Sequence, residues 1–266
     1  MLLGQMQETP LQISAILRYA ATAHGDREIV SRQIDAPIWR YDCATLERRA
    51  GRAARALASL GVAPGDRVSS LGWNTHRHLE LFYGVTGMGA VLHTANPRLS
   101  DDQIAYTIGH ADSGVLLFER NMLELVERLR PALPGIRHYV MLSDDERLDP
   151  GPVGAMGYEA LIAAQEDGFD WPTFDENSAA FLCYTSGTVG DPKGVLYSHR
   201  AVVLHAMAGG LSGALGFSAF DAIMPCQSLY HATVWGLPFI ALVNGYKLVL
   251  PADWMDEASL HELIRS

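Results

Sequence analysis

The stretch FLCYTSGTVGDPKGVLYSHR, residues 181–200, decides the fold. Ten residues rich in Thr, Ser and Gly, with a single Lys, separate two apolar runs of β-forming residues. A β-hairpin needs about two to five residues to reverse the chain. The segment is therefore predicted to be two strands joined by a loop that does more than turn.

The loop supplies groups that bind oxyanions. Gly187 and Gly190 allow close backbone approach, and Lys193 adds one mobile positive charge. Hydroxyl groups come from Thr185, Ser186 and Thr188. The pattern leaves two interpretations open, a polyphosphate cradle and a long solvated hairpin loop. It is not the P-loop of NTPases, because Lys193 is followed by Gly and a strand-like run instead of a helix.

Composition narrows the class of protein. The chain has 266 residues, 48% apolar and 19% charged, as in a soluble globular protein of one large or two modest domains. Its formal charge of −10 disfavours binding to nucleic acid or anionic lipid. Cys43, Cys183 and Cys226 are scattered, which suits a reducing compartment, and residues 1–10 lack signal-peptide features. We therefore expect a cytoplasmic protein.

Helical and strand patterns alternate along the chain, which predicts an α/β fold with a largely parallel sheet. We expect a helix over 45–60, a capping box at Ser100 and Gln103, and a surface loop over 143–157. A helix is predicted from about Ser198 to Gly216. The apolar run 232–250 predicts a buried helix, a turn and a strand, with no transmembrane segment. The chain stops inside an amphipathic pattern at 256–266, which suggests a truncated or split chain.

YTSGTVGDPKGV, residues 184–195, resembles the phosphate-loop signature of the adenylate-forming (AMP-binding) superfamily. Residues 71–100 and 230–251 resemble blocks of bacterial medium- and long-chain fatty acyl-CoA ligases and 3-methylmercaptopropionyl-CoA ligases. The resemblance implies an incomplete large N-terminal domain, with layered, mostly parallel sheets and flanking helices. Residues 1–177 would form its first α/β subdomain, and 178–266 the truncated start of the second. The C-terminal domain would be absent.

The family activates a carboxylic acid with Mg-ATP to an acyl-adenylate, and then transfers the acyl group to CoA. The resemblance therefore implies ATP, Mg and CoA as cofactors, and a fatty or other aliphatic acid as substrate. Val189 stands where the signature usually has Thr, which removes one hydroxyl donor, although its backbone N–H remains. Thr188 would also contact Mg. The phosphate-binding residues would be Thr185, Ser186, Gly187, Thr188, Val189, Gly190 and Lys193.

The block at 230–251 implies an acyl site. His231 matches the family histidine that positions the carboxylate or stabilises charge, and a core histidine is the alternative interpretation. Trp235 matches an aromatic residue at the mouth of the acyl tunnel, and Gly236 would line the same pocket. For Trp235 the alternative interpretation is plain core packing.

Other family segments are not found in these 266 residues. They are the Y-G-x-T-E segment with its Mg-binding Glu, the T-G-D Asp on the ribose, and the catalytic Lys of the small domain. We therefore expect the chain alone to be inactive, and to need the missing C-terminal portion or a complementary chain. A binding module without catalysis is the alternative function. An adenylation domain that serves a carrier protein is disfavoured by the block HTANPRL at 93–99. A homodimer is left open.

Overall fold

The structure is a computed structural model that describes the chain except residues 1, 3, 7, 35, 145–149, 186–190 and 266, and the side chains of 232 and 233. Its helices are α1 (Ile13–Ala23), α2 (Cys43–Ser59), α3 (His76–Gly87), α4 (Asp101–His110), α5 (Leu123–Leu129), α6 (Tyr158–Ala163), α7 (His199–Gly209), α8 (Leu237–Asn244) and α9 (Glu257–Arg265). Its strands are β1 (Glu28–Ser31), β2 (Trp39–Asp42), β3 (Arg67–Leu71), β4 (Val91–Thr94), β5 (Val115–Glu119), β6 (His138–Leu142), β7 (Met156–Gly157), β8 (Ala179–Thr185), β9 (Lys193–Ser198), β10 (Ala222–Ile223) and β11 (Lys247–Leu250).

A seven-stranded sheet with the order β7-β6-β5-β3-β4-β8-β9 forms the centre of the molecule. Its strands run parallel from β7 to β8, and β9 pairs antiparallel with β8. Alternate residues of β5 face opposite sides, since Val115 and Leu117 join one apolar core while Leu116 and Phe118 join the other. The predicted α/β class with a mostly parallel sheet is confirmed.

A second, four-stranded sheet has the order β10-β11-β1-β2, with β1 parallel to β11 and antiparallel to β2. Each sheet takes strands from both sides of the boundary predicted between residues 177 and 178. β8 and β9 extend the seven-stranded sheet, and β10 and β11 pair beside the N-terminal β1. The predicted subdomain boundary therefore does not coincide with the boundary between the two sheets.

Side-chain caps fix where the central helices begin. Asp42 accepts from the backbone N–H of Thr45 (2.7 Å) at the start of α2, and Thr75 caps α3 in the same way. At α4, the Ser100 hydroxyl accepts from the Gln103 backbone while the Gln103 side chain accepts from the Ser100 N–H. The predicted capping box is confirmed.

The C-terminal third differs from expectation in one helix. The helix predicted from Ser198 to Gly216 ends at Gly209, because the following run GLSGALG contains three glycines and favours turns over helix. The loop predicted over 143–157 is likewise shorter, since β7 pairs with β6 at its end.

The apolar run 232–250 forms a short 3₁₀ turn, helix α8, a left-handed Gly245 and strand β11, which confirms the predicted helix, turn and strand. None of the helices in the described part of the chain combines the length and hydropathy that crossing a membrane requires.

Candidate functional site

Strands β8 and β9 present the two ends of the glycine-rich loop. Phe181, Leu182 and Cys183 are buried, and the chain becomes exposed at Thr185, the last residue of β8. Thr185 is paired in register with Lys193, the exposed first residue of β9. The hydroxyl and the ammonium group therefore start from adjacent positions at the mouth of the loop. The predicted site residues Ser186 to Gly190 lie outside the described residues.

The loop leaves the sheet at the end where the parallel strands terminate. We use the term carboxyl edge for residues 72–75 after β3, residues 95–98 after β4, and Thr185. Helix α3 packs on the same side of the sheet as α2, whereas α4 packs with α5 on the opposite side. The chain thus leaves β3 toward one face of the sheet and leaves β4 toward the other. A crevice opens between these two strand ends, at the position where open α/β sheets bind ligands.

A cavity of about 470 Å³ lies in this crevice. Trp73 and Asn74 line it from the end of β3, and Asn96 and Arg98 line it from the end of β4. Arg98 stacks over the Trp73 ring with its guanidinium carbon 5.8 Å from the ring centre. The other residues that line the cavity come from later in the sequence: Cys226, Gln227, Ser228, Tyr230, His231, Ala252, Asp253 and Met255.

His231 lies on the wall shared by this cavity and a smaller one of about 30 Å³. Its backbone N–H donates to the Ser228 carbonyl (2.9 Å), and its own carbonyl accepts from the Val234 N–H (2.9 Å). The residue is exposed, so the alternative interpretation as a core histidine is wrong. The structure thus brings His231 and the ends of the phosphate-loop segment to the same edge of the sheet.

The residues predicted for the acyl pocket form an unusual turn. Val234, Trp235 and Gly236 all have positive φ angles, of 54°, 55° and 73°. The Trp235 carbonyl accepts from Nε2 of His205 on α7 (2.8 Å), with that nitrogen carrying the proton. The Trp235 side chain is 70% exposed, so core packing is wrong for it, and neither it nor Gly236 lines the two cavities at His231.

A buried polar chain lies behind the smaller cavity. The His93 ring contacts the Ser69 hydroxyl through Nδ1 (2.8 Å), and Ser69 contacts Ser113 (2.7 Å). Burial lowers the pKa of His93 to about 3, so the ring is neutral. Tyr184 packs edge-on against this ring, and its hydroxyl reaches Nδ1 of His110 (2.7 Å). The residue that precedes the loop is therefore fixed by two histidines.

Two carboxyl groups lie close to the main cavity. Burial raises the pKa of Glu119, at the end of β5, to about 7, although the Thr75 hydroxyl donates to it (2.7 Å). Burial also raises the pKa of Asp253, against the opposing charge of Arg98. In the described part of the chain, no group of three His, Cys, Asp or Glu residues could hold a metal ion. The predicted Mg contact Thr188 lies outside that part.

Trp73, Asn74 and Arg98 were not among the predicted site residues. The turn signal at Asn96-Pro97 marks one side of the cavity, but the other side depends on strand order. Pattern alone does not show that β3 and β4 are neighbours while β5 lies beyond β3. The signal that could have found them is the position of residues directly after parallel strands.

The amino-acid sequence is similar to those of known acyl-CoA ligases. The chain is 42% identical over 265 residues to the 3-methylmercaptopropionyl-CoA ligase of Ruegeria lacuscaerulensis, covering 99% of this chain and 49% of that protein. It is 42% identical over 266 residues to the medium-chain-fatty-acid–CoA ligase of Ectopseudomonas oleovorans, covering 100% of this chain and 49% of that protein. The chain thus spans about half the length of these curated relatives.

The fold matches a solved structure as well. The N-terminal domain of FACL13 from Mycobacterium tuberculosis superposes with a TM-score of 0.79 at 23% identity, over 95% of this chain and 60% of that domain. This supports the prediction of an incomplete N-terminal domain. Residues 17–266 match the family described as AMP-binding enzyme. The chain therefore belongs to the AMP-binding enzyme family.

Proposed function

We propose that the chain is the N-terminal part of an AMP-forming acid–thiol ligase that activates a fatty or other aliphatic acid with ATP and transfers the acyl group to CoA. The observation that carries the proposal is the convergence of the loop ends and His231 on one carboxyl edge, beside a cavity of about 470 Å³. The relatives at 42% identity, whose names are those of acyl-CoA ligases, support the same reaction class.

The roles follow from charge and position. Lys193 and the Thr185 hydroxyl would hold the phosphate oxygens of ATP, together with Ser186, Gly187, Thr188, Val189 and Gly190. Bound in this way, the β- and γ-phosphates are fixed as a leaving group while the acid carboxylate approaches the α-phosphorus in line. Mg would neutralise part of the phosphate charge, and Thr188 is the residue of this chain proposed to contact it.

His231 would orient the carboxylate. The residue is exposed and lines the cavity, so its ring could donate a hydrogen bond to an anionic oxygen there. Trp235 and Gly236 would form part of the acyl pocket, completed by polypeptide equivalent to the other half of the relatives. That polypeptide, as a continuation or a complementary chain, is the proposed partner. We also propose a cytoplasmic location, because Cys43, Cys183 and Cys226 are scattered along the sequence in a way that suits a reducing compartment.

Calorimetric titration of the purified chain with Mg-ATP tests the binding role. We expect saturable binding that weakens by about tenfold to a hundredfold in Lys193→Gln, because a hydrogen bond from a charged group contributes about 1.5 to 3 kcal/mol. Lys247→Gln is the matched control, since it removes the same charge from the four-stranded sheet. Absence of Mg-ATP binding, or equal loss in both variants, would contradict the proposal.

A second measurement separates a ligase part from a binding module. We expect the chain alone to bind Mg-ATP without releasing pyrophosphate in the presence of fatty acids. Adding polypeptide that corresponds to the second half of a 42%-identical relative should restore carboxylate-dependent release. Binding without restored turnover would favour the binding module, and robust turnover by the chain alone would contradict the need for a partner.

A further inference from the structure

Asn74, at the carboxyl edge after β3, connects that edge to the segment that carries His231. Its side-chain Nδ2 donates to the Pro225 carbonyl (3.0 Å) and to the Gln227 carbonyl (2.7 Å). Its Oδ1 accepts from the Leu229 backbone N–H (2.7 Å). One amide group therefore holds three successive points of the segment 225–229, which is more than 150 residues away in sequence.

The Asn74 side chain uses all of its hydrogen-bonding groups. A side-chain amide has two N–H donors and one carbonyl oxygen, and here both donors and the oxygen are engaged by backbone groups. Asn74 is only 2% exposed, so water does not replace a lost bond easily. The geometry also fixes which atom is oxygen and which is nitrogen, because two of the partners are carbonyl groups and the third is an N–H.

The contacts of Asn74 end two residues before His231. Tyr230 lies between them, and its carbonyl accepts from the Thr94 hydroxyl (3.3 Å) at the end of β4. The backbone carbonyl of Asn74 accepts from the Ala252 N–H (2.8 Å), which ties in the residues after β11. β3, β4 and β11 are thereby joined around the cavity that His231 lines.

We infer that Asn74 is a positioning residue for His231: it sets the path of residues 225–231 across the carboxyl edge and thereby the place of the imidazole. The inference rests on the proposed function for its catalytic meaning, but the positioning itself is independent of any ligand. Loss of the amide displaces a histidine that is still present, so the effect differs from removal of the ring.

Asn74→Asp is the sharpest variant. It keeps an oxygen for the Leu229 N–H, but it turns the two donors that face the Pro225 and Gln227 carbonyls into an acceptor. We expect amide hydrogen exchange at Leu229, His231 and Val234 to quicken by about tenfold or more, the factor that corresponds to about 1.4 kcal/mol. Exchange in β5 should change far less. The His231 ring resonances should shift relative to those of the unsubstituted chain.

Ser70→Ala is the matched control, because Ser70 is also fully buried at the end of β3 but bonds to His78 (3.0 Å) instead of segment 225–229. It should leave the His231 ring resonances unchanged. If Asn74→Asp does not fold, Asn74→Ser serves in its place, since its hydroxyl is too short to span the same partners and adds no charge.

Two results would overturn the inference. One is an unchanged set of His231 ring resonances in the Asn74 variant, which would mean that the residue only stabilises the fold. The other is exchange that quickens equally in β5 and in residues 229–234. Mg-ATP titration of the same samples is kept separate: failure of the unsubstituted chain to bind would contradict the proposed function, while the exchange and NMR results would still decide the role of Asn74.

Discussion

Two polar regions of the molecule satisfy their buried groups in opposite ways. The first, the ion-pair network, consists of Arg49, Arg77, Glu80 and Glu159 between α2, α3 and α6. Arg49 donates to Glu80 at 2.7 and 3.2 Å and to Glu159 at 2.9 Å. The second is the carboxyl edge, where Asn74 binds backbone groups and Arg98 and His231 face a cavity.

The difference distinguishes polar groups that stabilise the fold from polar groups that are available to a ligand. In the ion-pair network each charge has an opposite charge within hydrogen-bonding distance, and Tyr158 donates a further bond to Glu80 (2.8 Å). The charges of this set are therefore balanced by partners within the protein. At the carboxyl edge the uncharged Asn74 amide bonds to the backbone, while Arg98, Asp253 and His231 line a cavity. We expect substitutions in the two regions to have correspondingly different effects.

Breaking the ion-pair network should have the largest effect. Glu80 is fully buried, and Glu80→Ala leaves Arg49 and the Tyr158 hydroxyl without their shared partner. We expect the free energy of unfolding to fall by about 3 to 5 kcal/mol. Urea denaturation followed by circular dichroism measures this fall.

The matched control is Glu28→Ala. Glu28 pairs with Arg40 and with Lys247, each at 2.8 Å, but its side chain is 39% exposed and those of its partners are 39% and 28% exposed. A surface pair of this kind contributes about 0 to 1 kcal/mol. Equal losses in the two variants would show that the ion-pair network is no more structural than a surface contact.

Glu119 lies where the carboxyl edge meets the core. Its raised pKa predicts that the free energy of unfolding depends on pH. Burial raises its pKa to about 7 in the folded chain, against 4.5 ordinarily. The folded state therefore binds the proton more tightly, and stability falls as pH rises from about 4.5 through 7. Glu119→Gln keeps an acceptor for Thr75 but cannot ionise. We expect its advantage over the unsubstituted chain to grow by about 2 to 3 kcal/mol between pH 5 and pH 8.

The measurement is urea denaturation of both chains at several pH values. Asp101→Asn is the control, because Asp101 is half-exposed in a surface pair with Arg128 (2.9 Å). Its difference from the unsubstituted chain should stay nearly constant over that interval. A constant difference for Glu119→Gln as well would mean that Glu119 is ionised throughout in the folded state.

Local signals predicted much of the fold. The capping box at Ser100 and Gln103 needs residues three apart, and the strands beside the glycine-rich loop are short-range patterns, so sequence was sufficient for both. The family resemblance also predicts that Lys193 and His231 share one site, and this stays a prediction. The hairpin of β1 and β2 escaped prediction because each strand has four residues and β1 is held by β11 from the far end of the chain.

The rest of the site depends on contacts between distant residues. Asn74 bonds to a segment more than 150 positions away, and the carbonyl it reaches at Gln227 carries no side-chain signal. The exposure of Trp235 likewise does not follow from hydrophobic pattern alone, because its backbone conformation is one that side-chain-bearing residues rarely adopt. Hydrophobic pattern predicted burial for this apolar run, and tertiary constraints on the turn overrode it at one position.

The turn at Gly236 provides the smallest expected effect and tests the carboxyl-edge side of the comparison. Gly236 has a φ of 73°, and a Cβ there would lie 2.5 Å from Cδ2 of His205. We expect Gly236→Ala to cost about 1 to 2 kcal/mol in urea denaturation. Gly213→Ala is the control, because its Cβ would meet nothing within 4 Å and its φ is not positive. If the cost vanishes when His205→Ala is added, the contact with the ring causes it. If the cost persists, the left-handed backbone conformation causes it. The turn beside His231 would then be stabilised by its backbone conformation, whereas the ion-pair network is stabilised by charge.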